Sequence, residues 1–364
     1  MKKRIAWITA DYFIDVDCLL VPYLQQNYAD KYQIDWYVIK TANNNIPIPS
    51  TPNRIFTMKY RGKDPRIILE YMKIFKTLHL EKADIIYSDF VGAPYYYFVL
   101  SQYNKNKVPL IHAAHNVITY EVWPKALIWY VDKIFRKNQH FQFFSKFTME
   151  YFKEHYKGKS YFYCPMTLKS YGNVQTNNYH IDDSKLNLLF FGNVVGNKRL
   201  DLLISAIKHL PNQYRDMVHL NICGKCKNPS PYLKSIQDMP NITAYFKRID
   251  DHEVAELFTK HDFLILPYQD VAQSGPHMIA YQYNLPVIAS DIDGFSERVI
   301  DGENGFLFKV NDREDLTRVI EEVVNMKPQE YKCLKENLKK YSIENFSLEK
   351  ISKKYIDYFE LILK

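Results

Sequence analysis

The stretch from Phe263 to Lys309 constrains the fold more than any other part of the chain. Phe263 to Leu266 is a continuous apolar run, the pattern of a strand buried on both faces of a parallel sheet. A polar loop, Gln269 to Ser274, ends at Gly275-Pro276, and Met278, Ile279, Tyr281 and Gln282 then read as a short helix into Asn284. Leu285 to Ala289 is a second buried strand. Asp293-Gly294 is a turn, and Ser296-Glu297 opens another short helix. Asp301-Gly302 and Asn304-Gly305 are turns ahead of a last strand, Phe306 to Val310. Strand, loop, helix, strand is the βαβ pattern of an open sheet. In such sheets ligands sit at the loops beyond the carboxyl ends of the strands. The loops 270–276 and 291–297 carry the small and polar residues that a phosphate or sugar site needs.

The same pattern recurs upstream. Arg4 to Thr9 is a first buried strand, Gln33 to Ile39 a second, Ile85 to Tyr87 a third and Val108 to Ala113 a fourth, the last running into His115-Asn116. Asn43 to Pro52 is a loop. Arg66 to Lys82 is a helix, because Ile67, Ile68, Tyr71, Met72 and Phe75 recur at helical spacing. Phe141 to Phe144 is a strand, Ser145 is a natural cap for a helix through His155, and Tyr161 to Cys164 closes a first domain. Lys169 to Lys185 is polar and aperiodic, as an interdomain linker would be. Leu186 to Phe191 then starts a second domain and ends at Gly192. A helix runs from Leu200 to His209, with Lys198-Arg199 at its start, and Val218 to Cys223 is the next strand. Ile242 to Phe246 follows, and Asp250 or Asp251 caps a further helix. At 364 residues two such domains each have room for a core. The expected division is 1–168, a linker at 169–185, 186–342, and a final segment 343–364 that returns to the first domain.

Composition excludes several classes. Hydrophobic residues at 47% rule out a disordered chain. No apolar run is long enough to span a membrane or serve as a secretory signal, so a cytoplasmic location is expected. Five cysteines argue against a disulfide framework, and Cys223-x-x-Cys226 has no second pair to complete a zinc set. The net charge of +7 suits anionic partners such as nucleotide phosphates or an anionic membrane surface. No basic run or motif points to nucleic acid. From Tyr120 to His140, Trp123, Leu127, Trp129, Tyr130, Ile134 and Phe135 alternate with Lys125, Lys133, Arg136 and Lys137. That is an amphipathic helix packed on its own sheet, or else one lying on a membrane surface.

The pieces Leu266-Pro267-Tyr268, Ser274-Gly275, Pro286 to Ser290, Gly294 with Glu297, and Asp301-Gly302 with Asn304-Gly305 stand in the order and spacing of a known family. The chain resembles the family 4 glycosyltransferases, the group 1 enzymes of cell-surface polysaccharide synthesis. The resemblance implies the GT-B fold, two Rossmann-like α/β domains facing each other across a cleft. It implies transfer of a sugar from a nucleotide-diphosphate donor to a glycan or lipid-linked acceptor, with retention of configuration and without a metal or other cofactor. One departure matters. The family carries a pair of glutamates around the second domain's loop, and the aligned positions are Val271 and Ile279. Gln273-Ser274-Gly275 fits a variant of that loop.

Carried over by position, the donor site comprises Gly192, Asn193, Lys198, Arg199, Ile249, Gln273, Ser274, Gly275 and Glu297. Lys198 matches the family's diphosphate-gripping lysine. Asn193 stands where its arginine is expected, and Arg199 replaces a glycine and is the compensating cation. Ile249 meets the nucleobase through its backbone, and Glu297 is the surviving acidic residue near the donor. His115 and Asp270 are the candidate catalytic residues, His115 for hydrogen bonding to the sugar and for stabilising charge at the reacting centre. Asp11, Asp15 and Asp17, in the loop after the first strand, are candidates for acceptor hydroxyls. Asp15-Val16-Asp17 imitates a D-x-D metal motif, but GT-B relatives do not use it, and carboxylates at a helix start are its simpler account. Membrane contact through 120–140, peripheral on the inner face of the membrane, would suit a lipid-linked acceptor. Two rival functions stay open: a donor-binding scaffold subunit that has lost turnover, and a GT-B nucleotide-sugar epimerase.

Overall fold

The computed structural model describes residues 2–42, 44, 46–90, 95–104, 106–115, 117, 125–179 and 181–364. Asn43, Asn116 and Tyr120 to Pro124, named above, lie outside these residues. The chain divides into two compact units, one of Met1–Thr167 with Phe346–Lys364 and one of Leu168–Asn345.

The first unit is built on seven parallel strands: β1 (Lys3–Ala10), β2 (Tyr32–Lys40), β3 (Arg54–Thr57), β4 (Ile85–Asp89), β5 (Leu110–Ala114), β6 (His140–Phe143) and β7 (Ser160–Tyr163). Their order is β3-β2-β1-β4-β5-β6-β7. The register sets Ile5 of β1 against Ile34 on one side and Ile85 on the other, so the sheet centre is apolar. The abundant aromatics find their place here. Phe90 lies 4.4 Å from Tyr96 and Phe141 4.7 Å from Phe152, ring centre to ring centre. Such pairs add about 0.5–1.5 kcal/mol each beyond the area they bury. His112, inside β5, is part of this core. Burial pushes it down to about 3, so it is neutral, and its Nδ1 meets the Tyr97 hydroxyl.

The second unit has six parallel strands: β8 (Leu186–Phe191), β9 (Val218–Cys223), β10 (Ile242–Tyr245), β11 (Phe263–Leu266), β12 (Val287–Asp291) and β13 (Gly305–Lys309). Their order is β10-β9-β8-β11-β12-β13. Asp250 caps the helix Asp251–Lys260, and Glu253 completes a capping box with it. Both sheets are Rossmann-like, and in each the strand order reverses direction once, between β1 and β4 and between β8 and β11. Such reversal points open a crevice at the strand ends where ligands bind.

Several local expectations change. The strand β3 lies between the loop at 43–52 and the following helix, where the sequence reading had no element. The helix there spans Ile67–Leu78 and stops at His79, which is left-handed at φ 48°. Ser145 precedes the helix Lys146–His155 but makes no side-chain cap. The short helix beside Glu297 is Asp293–Ser296, so Glu297 follows it and does not open it. Pro328–Phe346 forms a long helix, and the final helix, Leu348–Ile362, packs on the first unit, with Tyr355 5.3 Å from Trp7. The stretch Lys169–Lys185 is not a free linker. The buried Glu256 accepts from Asn178 N at 2.9 Å, Tyr179 N at 3.0 Å and Thr176 Oγ1 at 2.5 Å. Burial works to raise this carboxyl, but these hydrogen bonds and Lys260 hold it down to about 2.

Candidate functional site

In the second unit the loops after β8 and β11 meet at the reversal point. Gly192 ends β8 with φ 110°, a conformation that favours glycine. The chain then makes a tight turn, Gly196–Lys198, which returns the Lys198 side chain over Gly192. A Cβ on Gly192 would lie 2.9 Å from Lys198 Nζ and 3.6 Å from Pro276 Cγ. The ammonium also sits 5.1 Å from the ring centre of Tyr268. Lys198 is half-buried, and among the described residues no carboxylate pairs with it. Burial pushes it down to about 8.

The loop after β11 forms the other wall. Gln269 N donates to Asn197 O at 2.7 Å, and Asn197 Nδ2 donates to Asp270 Oδ1 at 3.1 Å, so the two loops are laced together. Gly294 backs this wall, since a Cβ on it would fall 2.1 Å from Val271 O. Ser274 caps the helix Gly275–Gln282, its hydroxyl accepting from His277 N at 3.3 Å. Pro276 has no N–H and the His277 amide is taken, which leaves the Gly275 amide as this terminus's open donor. Lys169 Nζ lies 3.5 Å from where a Gly275 Cβ would be. Lys169 stands in the stretch read as linker, and nothing in its local pattern singled it out.

The remaining donor candidates fall into two groups. Asn193 is exposed in the loop beside Gly192, Gln273 is partly buried in the loop before Ser274, and Ile249 is buried just ahead of the helix Asp251–Lys260. Arg199 and Glu297 are occupied elsewhere. Arg199 takes a left-handed backbone at φ 46°, which turns its guanidinium to Asp201 at 3.0 Å and to the Asn311 carbonyl. Both contacts are at the surface, and the guanidinium leans away from Gly192 toward Asp201 and Asn311. Glu297 forms a buried ion pair with Arg298, whose Nη1 also donates to Gly294 O at 3.0 Å. That pairing ties Glu297 to the loop 292–298 through Arg298.

In the first unit, His115 lies just past β5. Its ring is stacked between Phe13 at 3.7 Å and Phe144 at 4.3 Å. Nε2 meets Asp89 Oδ1 at 2.6 Å, at the end of β4. Two aromatic faces and one carboxylate therefore fix this imidazole in position. Two carboxylates expected to meet acceptor hydroxyls point inward instead. Asp11 accepts from Thr41 N at 2.9 Å and its hydroxyl at 3.0 Å. Asp17 accepts from Trp7 Nε1 at 2.9 Å and Thr9 Oγ1 at 2.5 Å. Burial and the charge of nearby Asp89 hold the Asp17 carboxyl well above the usual range.

Comparison with known proteins agrees with this geometry. The family described as glycosyl transferases group 1 matches residues 173–341. An uncharacterized glycosyltransferase of Methanocaldococcus jannaschii is 33% identical over 165 residues, a match that covers 44% of each chain. An uncharacterized 41.2 kDa protein in the cps region of Klebsiella pneumoniae is 23% identical over 318 residues, 81% of this chain and 83% of that one. The chain thus spans less than half the length of the first of these relatives and most of the second. Among solved structures, Anabaena HepE in complex with UDP and glucose superposes with a TM-score of 0.70 at 15% identity, covering 99% of this chain and 100% of that one. The fold is GT-B, and residues 173–341 match the group 1 glycosyltransferase family.

Proposed function

We propose that the protein transfers a glycosyl group from a nucleotide-diphosphate sugar to a glycan or lipid-linked acceptor in cell-surface polysaccharide synthesis. Lys198 carries this reading: it is a half-buried ammonium with no carboxylate partner among the described residues, over a glycine backbone and beside the helix start at Gly275. An isolated cation is costly to bury, and an anionic ligand removes that cost. When the bond from the anomeric carbon to phosphate breaks, negative charge grows on the departing diphosphate. Lys198, the Gly275 amide and Lys169 are placed to stabilise it, so the reaction is proposed to run without a metal. Ser274 and Gln273 border the same loop, Asn193 and the backbone of Ile249 are assigned to the nucleotide, and Asp270 is assigned to the sugar. HepE was solved with UDP, which makes UDP the first nucleotide to try. The Klebsiella relative lies in a cps region, which supports a polysaccharide as product.

Calorimetry with UDP, GDP, ADP, dTDP and CMP tests the donor site. One nucleoside diphosphate is expected to bind, and Lys198→Ala to weaken it by roughly 1–3 kcal/mol. Because the free ammonium titrates at about 8, affinity should fall as pH rises past that value, while Lys198→Arg should stay flat. Turnover should survive excess EDTA, and the product should keep the donor's anomeric configuration by NMR. Failure to bind any nucleotide would remove the catalytic reading, binding without consumption would favour a scaffold subunit, and release of free epimer without acceptor would favour an epimerase.

The helix Lys125–Lys137 is assigned to the membrane surface. Its Trp129 is 60% exposed, with Lys133 Nζ 4.1 Å from the ring centre, and Arg136 and Lys137 end the same helix. An exposed aromatic with an ammonium over its ring, on a helix that ends in basic residues, is a composition that anionic headgroups attract. Among the described residues no helix is long and apolar enough to cross a membrane. Co-sedimentation with phosphatidylglycerol vesicles should fall when Trp129 and Lys133 are both changed to Ala. Unchanged sedimentation would remove this assignment.

A further inference from the structure

The first unit carries a second concave, cationic surface away from His115. The edge strand β3, the residues after it to Tyr60, and the helix Ile67–Leu78 line a groove of about 470 Å3. Arg54, Lys59, Arg66 and Lys73 line it, against one acidic side chain, Glu70. Arg66 is paired with Asp64 at 2.7 Å. Arg54, Lys59 and Lys73 have no carboxylate partner among the described residues. Glu70 is spent on the backbone, accepting from Lys59 N at 3.0 Å and Tyr60 N at 3.4 Å, and so clasps the end of β3 to the helix. Two half-buried rings line the groove, each with a guanidinium over it: Arg54 lies 5.0 Å from the centre of Phe56, and Arg66 lies 4.2 Å from that of Tyr60.

We infer that this groove binds an acidic glycan chain, as an accessory site for the acceptor polymer. The inference rests on the glycosyltransferase reading above for its acceptor, but not on the donor site. Three features commit it to a chain of sugars bearing carboxylate or phosphate. The surplus of cations calls for an anion. The guanidiniums of Arg54 and Arg66 are held over rings of the wall, which fixes where carboxylates or phosphates along a chain would meet them. A groove of about 470 Å3 beside an edge strand has room for a short run of sugar rings, whereas a bilayer is met by an exposed aromatic such as Trp129. Distance makes the site accessory. Four strand spacings separate β3 from β5, so the groove lies about 19 Å across the sheet from the strand that ends at His115. A sugar held there cannot be the one that reacts. It belongs to an earlier part of the growing chain, and holding that part raises the local concentration of the acceptor end.

The test uses the full chain and three probes: a hexagalacturonate, a neutral maltohexaose, and phosphatidylglycerol vesicles. The hexagalacturonate should bind, weaken as salt rises, and lose about tenfold or more in affinity in an Arg54→Ala/Lys73→Ala double variant, which removes two charge-assisted contacts. Lys198→Ala should leave that binding unchanged, while the double variant should leave nucleotide binding unchanged. Failure of the donor site would then show in the nucleotide arm alone. Equal binding of maltohexaose, or hexagalacturonate binding that ignores the double variant, would overturn the inference. So would a double variant that loses vesicle binding while keeping the hexagalacturonate.

Discussion

Replacing His115 with Gln should lower turnover by roughly 10²–10³-fold while donor affinity stays within about threefold of the parent. The expectation follows from how the imidazole is held. Phe13 and Phe144 close on its two faces, and Asp89 takes Nε2 at 2.6 Å. A side chain fixed on three sides loses little entropy on reacting and presents a constant geometry to substrate. Gln keeps a donor for the buried Asp89, so the variant separates lost chemistry from lost folding. Asp89→Asn should sit between, since it keeps the contact and removes the charge that orients the ring. Initial rates with saturating donor decide the matter. A His115→Gln enzyme within threefold of the parent in kcat/KM would leave His115 a structural residue of the β5 end. A loss of thermal stability matching the loss of rate would lead to the same conclusion.

How much of this was legible in the sequence depends on the range of the interactions involved. Leu186 to Phe191 and Val218 to Cys223 were readable as strands to the residue, because each is a short, mostly apolar segment ended by glycine. The cap was readable as Asp250 or Asp251, and the structure makes it Asp250, because the capping interaction is made within the helix's own first turn. The GT-B architecture followed from the repeated βαβ pattern together with the motif from Leu266 to Gly305. What failed to show was set by partners distant in sequence. The strand Arg54–Thr57 is four residues long and exists because β2 offers it an edge. The contact of Arg199 with Asn311, far along the chain, could not be read from its position beside Lys198. The ion pair of Glu297 with its neighbour Arg298 depends on Arg298 turning inward, which the sequence does not show. Lys169 carried no signal at all, because its place beside Gly275 arises only when the stretch 169–185 is strapped onto the second unit. Sequence therefore located the loops of the candidate site, while the charge balance within them needed the fold.

Gly224→Ala should be the most damaging single-atom addition in the second unit. Gly224 follows β9 with φ 151°, and a Cβ there would fall 2.0 Å from Gly192 O and 2.6 Å from Gly192 C. Both are backbone atoms of the residue over which Lys198 lies, so no side chain can swing aside. Either the β8 end moves or the β9 turn does. Backbone strain of this kind costs about 1–3 kcal/mol and overpacking against fixed atoms a similar amount, so a loss of roughly 2–5 kcal/mol is expected. Gly196 lies in the same loop, but a Cβ there meets nothing within 4 Å and its φ is not positive. Gly196→Ala should therefore be close to neutral in urea unfolding, which makes it the control. The two variants should part in binding as well. Moving Gly192 displaces Lys198 from the start of the Gly275–Gln282 helix, so nucleotide affinity in Gly224→Ala should drop by about tenfold or more even where the protein is fully folded. If Gly224→Ala unfolds at the same urea concentration as Gly196→Ala and binds nucleotide as well, the close approach of the two turns does not hold the donor loop. The stability of that loop would then have to come from the Asn197–Asp270 and Gln269–Asn197 hydrogen bonds alone.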